Sequence, residues 1–148
     1  MHRFWAILAS LIVLCAPPAL AEQAAIGSIK TLEGSATIIR GETRMAAAIG
    51  TALHQSDILE TGDDGALGIT FRDETMLSIG PGTEIKLDQY AFAPDEERYS
   101  LVTRITRGTL FYVSGLIAKL SPTATSVVTP GGTIGVRGTR FAVRIQQD

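Results

Sequence analysis

The chain has 148 residues, with 13 Lys or Arg against 15 Asp or Glu, and its net charge of −2 leaves no basic footprint for a nucleic-acid partner. A single cysteine provides no disulfide framework. The length suits one domain with a modest core that must be held by packing and backbone pairing.

The first element is an export signal. Met1-His2-Arg3 is a short basic start, Phe4 to Cys15 is apolar, and Pro17-Pro18 leads to the small-x-small site Ala19-Leu20-Ala21. This order defines a secretory signal peptide over residues 1–21, with cleavage before Glu22 and delivery to the periplasm or beyond. The apolar run falls short of the roughly 20 residues a membrane-spanning helix needs, so no stable span is expected after cleavage. Leu14, preceding Cys15, does not suit a lipid-anchor signal, and Cys15 leaves with the signal. The mature span 22–148 then has 12 basic and 15 acidic residues, a net charge of −3, and no cysteine.

From there the chain alternates apolar and polar residues in short runs closed by turn residues, the signature of half-buried strands. Ile29 to Leu32 ends at Glu33-Gly34, Ala36 to Ile39 at Gly41-Glu42, and Ile49 to Leu59 at Thr61-Gly62-Asp63-Asp64-Gly65. Leu67, Ile69 and Phe71 then alternate strictly; Leu77 and Ile79 follow Arg72-Asp73-Glu74-Thr75, and Ile85 and Leu87 follow Gly80-Pro81-Gly82. Tyr90 to Arg98, with Pro94 and a cluster of charges, reads as a solvated hairpin tip before alternation resumes at Tyr99 to Ile105. Leu110 to Leu120 is ambiguous between a strand ending in a helical turn and two strands joined at Ser114-Gly115; the second reading is preferred. A strand and a turn about every ten residues predicts an all-β fold of short strands, a sandwich or solenoid-like roll, in one compact domain.

The last stretch, Thr129-Pro130-Gly131-Gly132-Thr133-Ile134-Gly135-Val136-Arg137-Gly138-Thr139-Arg140-Phe141, is too rich in Gly and Pro for a helix and predicts successive tight turns. Gly132, Gly135 and Gly138 are expected at positive φ or where backbones approach closely. Arg137, between Val136 and Gly138, is expected to be partly buried and to fork onto carbonyls or a carboxylate such as Asp57 or Asp73; the alternative is contact with a ligand. Arg140 and Arg144 alternate with Phe141, Val143 and Ile145, so they share a solvent face that is either merely soluble or a docking stripe.

The inventory for catalysis is thin. His54 is the only histidine of the mature span and has no serine or cysteine motif beside it. Asp63-Asp64-Gly65 lacks the spacing of a calcium loop and reads as a hairpin turn, as does Asp73-Glu74. No phosphate-cradling glycine loop with a lysine occurs. No enzyme, cofactor or metal is expected.

Taken in order, several of these marks resemble the FecR domain of bacterial envelope proteins across nearly all of the mature span. They begin with Gly34, Ile38 to Arg40, Gly50 and Leu53, and continue through Asp57-Ile58-Leu59-Glu60-Thr61-Gly62, Leu67 to Phe71, Asp73-Glu74-Thr75, Leu77 to Gly80 and Thr83-Glu84-Ile85. Gly108-Thr109-Leu110, Ser114-Gly115, Val127-Val128-Thr129-Pro130 and Gly135-Val136-Arg137-Gly138-Thr139-Arg140-Phe141 complete the set. The best-known proteins of this type relay an iron-siderophore signal from an outer-membrane transporter to a sigma factor, through a helical sigma-binding region, a membrane helix and a transporter-binding subdomain. In this sequence the expected signal peptide leads almost directly into the FecR-like part. What the resemblance implies is therefore a free-standing, non-catalytic periplasmic module for interaction or sensing. Its rigid β scaffold is expected to present an edge strand, or a loop such as Tyr90 to Arg98 with Tyr90, Phe92 and Tyr99, to another envelope protein. A second reading is a carbohydrate or peptidoglycan binder, which would need exposed aromatics such as Tyr90, Phe92, Tyr99 and Tyr112 as a stacking surface.

Overall fold

Alternation places the strands and glycine corners fold them over. The computed structural model describes residues 23–138 and 140–146, so the expected signal peptide lies outside the described residues. One sheet runs in the order β12 (Arg140–Ile145), β9 (Arg98–Val113), β7 (Met76–Ile79), β6 (Ala66–Phe71), β1 (Gly27–Glu33) and β4 (Ala52–Leu53). The other runs β3 (Thr43–Ala46), β2 (Ala36–Arg40), β5 (Ile58–Thr61), β8 (Glu84–Ala93), the first half of β9, β10 (Thr125–Thr129) and β11 (Gly132–Gly135). All these pairs are antiparallel except β9 with β10. Strand β9 belongs to both sheets, so the whole is one curled sheet with its apolar faces turned inward on a single core. The all-β roll expected from the sequence is what forms.

The fold-over line is built from turns that hydrogen-bond to one another. Gly62 N donates to Ser35 O at 2.9 Å, Gly82 N to Gly62 O at 3.1 Å, and Gly80 N to Thr109 O at 3.1 Å. Hydroxyls complete the seam: Thr83 N donates to Thr61 Oγ1 (2.9 Å), which donates on to Gly80 O (2.7 Å), while Thr109 N donates to Thr83 Oγ1 (3.0 Å). Gly108 lies in this line at φ 94°, and any Cβ there would collide with Thr83. Glycine at this point lets β9 bend from one sheet into the other.

Three expectations are corrected. Leu110–Leu120 is not two strands: after β9 the chain turns at Gly115 into a short helix, α1 (Leu116–Leu120). The buried Asp73 captures it, its backbone oxygen accepting from Leu116 N (2.8 Å) and its Oδ2 from Ile117 N (3.1 Å). A parallel strand pair needs a crossover, and α1 lies in the one that carries β9 to β10. Ile49–Leu59 is divided into β4 and β5, leaving Ile49 exposed. Asp63-Asp64-Gly65 does not close a hairpin, because β5 and β6 belong to different sheets; it is a corner, where Asp64 Oδ1 accepts from Ser35 N and Oγ. The β8–β9 tip forms as expected, with a single 3-10 turn at Pro94–Glu96 followed by left-handed Glu97.

Candidate interaction site

Among the acidic residues singled out from the sequence, Asp57 and Asp73 prove to be internal fastenings. Asp57 is fully buried and is clamped by Arg40, whose Nε meets Oδ1 at 2.9 Å and whose NH2 meets Oδ2 at 2.7 Å; His54 N adds a bond to Oδ2 at 2.8 Å. The Asp57 carboxylate in turn pushes the Arg40 guanidinium above its ordinary value. Asp73 is also fully buried, accepting from Thr75 Oγ1 (2.7 Å), Tyr90 Oη (3.2 Å) and Ile117 N (3.1 Å). Thr61 and Gly62 belong to the seam described above.

Arg137 does not do the work expected of it. Its side chain is exposed, with no ion pair or hydrogen bond among the described residues, because the alternation turns Val136 inward instead. Val136 exchanges bonds with Thr125, its N donating to Thr125 O (3.2 Å) and its O accepting from Thr125 Oγ1 (3.2 Å). Thr129 Oγ1 donates to Gly132 O (2.8 Å) across the Pro130-Gly131 turn, and Ser114 Oγ to Gly138 O (2.6 Å). Of the three glycines expected to be conformationally special, only Gly132 is, at φ 147°. Gly135 and Gly138 have no atom within 4 Å of where a Cβ would stand. Thr139 lies outside the described residues.

The aromatic residues do not form a flat platform. Tyr90 is buried, stacked on Phe71 at 5.3 Å and 14°. Burial first, and the Asp73 charge second, push its phenol well above the ordinary range. Tyr112 is buried too, stacked on Phe141 at 4.9 Å and 18°. Phe92 and Tyr99 face each other across the β8–β9 hairpin, half-buried and tilted by 47°. Two open concavities, of about 310 and 230 Å³, meet at Arg72, whose guanidinium lies 5.6 Å from the Tyr90 ring centre; neither holds an acid-base pair.

The surface that does assemble lies on the outer face of β7, β9 and β12. Register pairs Met76 with Val113 and Val113 with Arg140; it pairs Ser78 with Phe111 and Phe111 with Ala142; Thr109 meets Arg144. Directly opposed residues share a face, so these side chains stand together on the outside. Phe111 is 54% exposed and Met76 45%, flanked by Arg140 and Arg144, which have no carboxylate partner among the described residues. The expectation that the two arginines share a solvent face thus meets a pair of apolar side chains that the sequence reading passed over. Two signals were present. Inward Leu110 and Tyr112 force Phe111 outward, and charge is divided along the chain: residues 22–97 hold 5 Lys or Arg against 14 Asp or Glu, and residues 98–148 hold 7 against 1.

The family model described as FecR protein matches residues 57–148, more than half the chain, and the chain belongs to that family. No curated protein and no solved structure matches it. Strands β1 to β4 precede the matched segment, yet they pair into the same curled sheet through β6 and β5.

Proposed function

We propose that this chain is a non-catalytic interaction or sensing module of the bacterial envelope, working in the periplasm and docking another envelope protein on the β7–β9–β12 face. Family membership supports the sensing or signalling role. The observation that carries docking is Phe111 and Met76 standing in solvent on the same face as Arg140 and Arg144, which have no carboxylate partner among the described residues, since large apolar side chains ringed by polar ones mark contact surfaces. The signal-like order of residues 1–21 supports the location. Among the described residues no helix is long and apolar enough to cross a membrane. The glycan reading is the weaker one, because Tyr90 and Tyr112 are withdrawn into the core and the two remaining rings, Phe92 and Tyr99, are tilted.

The test is affinity capture from an envelope extract with tagged protein. A Phe111→Ser, Met76→Ser pair should lose a captured protein that a Phe92→Ala, Tyr99→Ala pair retains, with circular dichroism unchanged in both. Retention of peptidoglycan, lost in the second pair only, would reverse the assignment.

A further inference from the structure

Strand β12 has a second feature besides its outer face: an open edge. It pairs with β9 along one side and with no strand along the other among the described residues, leaving alternate N–H and C=O groups of Arg140–Ile145 unpaired there. Three other strands end the sheets, and they differ from it. β4 has only two residues, β11 is exposed on both faces, and Arg44 on β3 is already paired with Glu60 at 2.9 Å. Only β12 carries an inward row of half-buried apolar side chains, Phe141, Val143 and Ile145, packed on the core but open at its rim. Its outward row carries Arg140 and Arg144.

These two rows decide what can pair with it. A second copy is disfavoured: antiparallel pairing centred on Ala142 keeps the apolar row inward but sets Arg140 opposite Arg144 twice, and like charges directly opposed are destabilising. Slipping by one residue turns the apolar row out to solvent. Slipping by two shortens the ladder and still leaves four guanidinium groups on one face. An incoming strand with carboxylates at alternate positions meets both requirements.

We infer that the open edge of β12 accepts an extended acidic segment of a partner protein as an added strand, its alternate carboxylates beside Arg140 and Arg144 and its alternate apolar side chains covering Phe141, Val143 and Ile145. Main-chain hydrogen bonds supply the attachment and the two rows supply selectivity. This deepens the docking function proposed above and rests on it.

The probe is a capped synthetic heptapeptide alternating valine and glutamate, followed by fluorescence anisotropy on the full chain. Binding should weaken with salt, and be lost when alternate amides of the peptide are N-methylated, which removes the donors a strand needs. Arg140→Glu with Arg144→Glu should lower affinity about fivefold to tenfold, the scale of two exposed ion pairs, and should transfer preference to the valine-lysine peptide. That exchange also shows that the variant is folded. Equal binding of N-methylated peptide, equal binding of the lysine peptide to the unaltered chain, or arginine-dependent binding of anionic phospholipid vesicles without peptide binding would each overturn strand addition. So would self-association insensitive to the double substitution. If extract capture still depends on Phe111 while the peptide fails, docking stands and the acidic strand falls.

Discussion

The Asp73–Thr75 turn and the Thr129–Phe141 stretch both look like loop chemistry, yet the fold treats them in opposite ways. Around Asp73 polar atoms are answered from inside the molecule: the carboxylate takes Thr75, Tyr90 and Ile117, and Thr75 Oγ1 also accepts from Gly115 N at 3.1 Å. In the glycine-rich stretch only Val136 is buried among the described residues, while no described atom lies within 4 Å of where a Cβ would stand on Gly135 or Gly138. Turn residues of similar composition therefore serve two purposes. One turn closes the molecule on itself, and the other is left facing outward beside the β12 arginines.

The largest effect should come from Asp73→Ala. It removes acceptors from Thr75 Oγ1, Tyr90 Oη and Ile117 N in a buried site, and unsatisfied buried donors are costly. The expected loss is about 3 kcal/mol or more, read from denaturant unfolding. Helix α1 should loosen first, visible as faster amide exchange at Leu116 and Ile117. A loss below about 1 kcal/mol would mean that the turn is no more internal than the glycine stretch. Next in size is Gly108→Ala, which must be accommodated at φ 94° against Thr83 in the fold-over seam. About 2 kcal/mol is expected from backbone strain alone, and an unchanged unfolding midpoint would remove the seam from the account of stability.

How much of this was legible follows from how local each cause is. Leu67, Ile69 and Phe71 declare β6 because period-two alternation is written in neighbouring residues. Tyr90 was misplaced because the ladder shifts register between Leu87 and Gln89, and after that irregularity the inward parity moves from Ile85 and Leu87 to Tyr90. Nothing in the adjacent residues announces the shift. Helix α1 has only five residues, too few to propagate by propensity, and is held by a carboxylate 44 positions earlier. Arg40 and Arg137 are both arginines beside strand-like runs; which one reaches Asp57 depends on β2 pairing with β5, a long-range fact. The outer face of β12 was half visible. The arginine spacing is local, whereas the neighbourhood of Phe111 and Met76 exists only through β9 register.

The smallest expected effect sharpens the comparison most. Gly135→Ala and Gly138→Ala add a Cβ into open space at positions outside the left-handed region, so the folded chain has no internal reason to resist either. Each should change stability by no more than about 0.5 kcal/mol, with Gly135→Ala able to stabilise slightly by restricting the unfolded chain. Gly138 is the more discriminating of the two, because its carbonyl is tied to Ser114 and it lies two residues before Arg140. If Gly138→Ala leaves unfolding unchanged but weakens capture of the envelope partner, the close approach that glycine permits there is made by another molecule. If instead it destabilises the isolated chain by as much as Gly108→Ala does, the stretch is an internal fastening like the Asp73 turn, and the contrast between the two regions collapses.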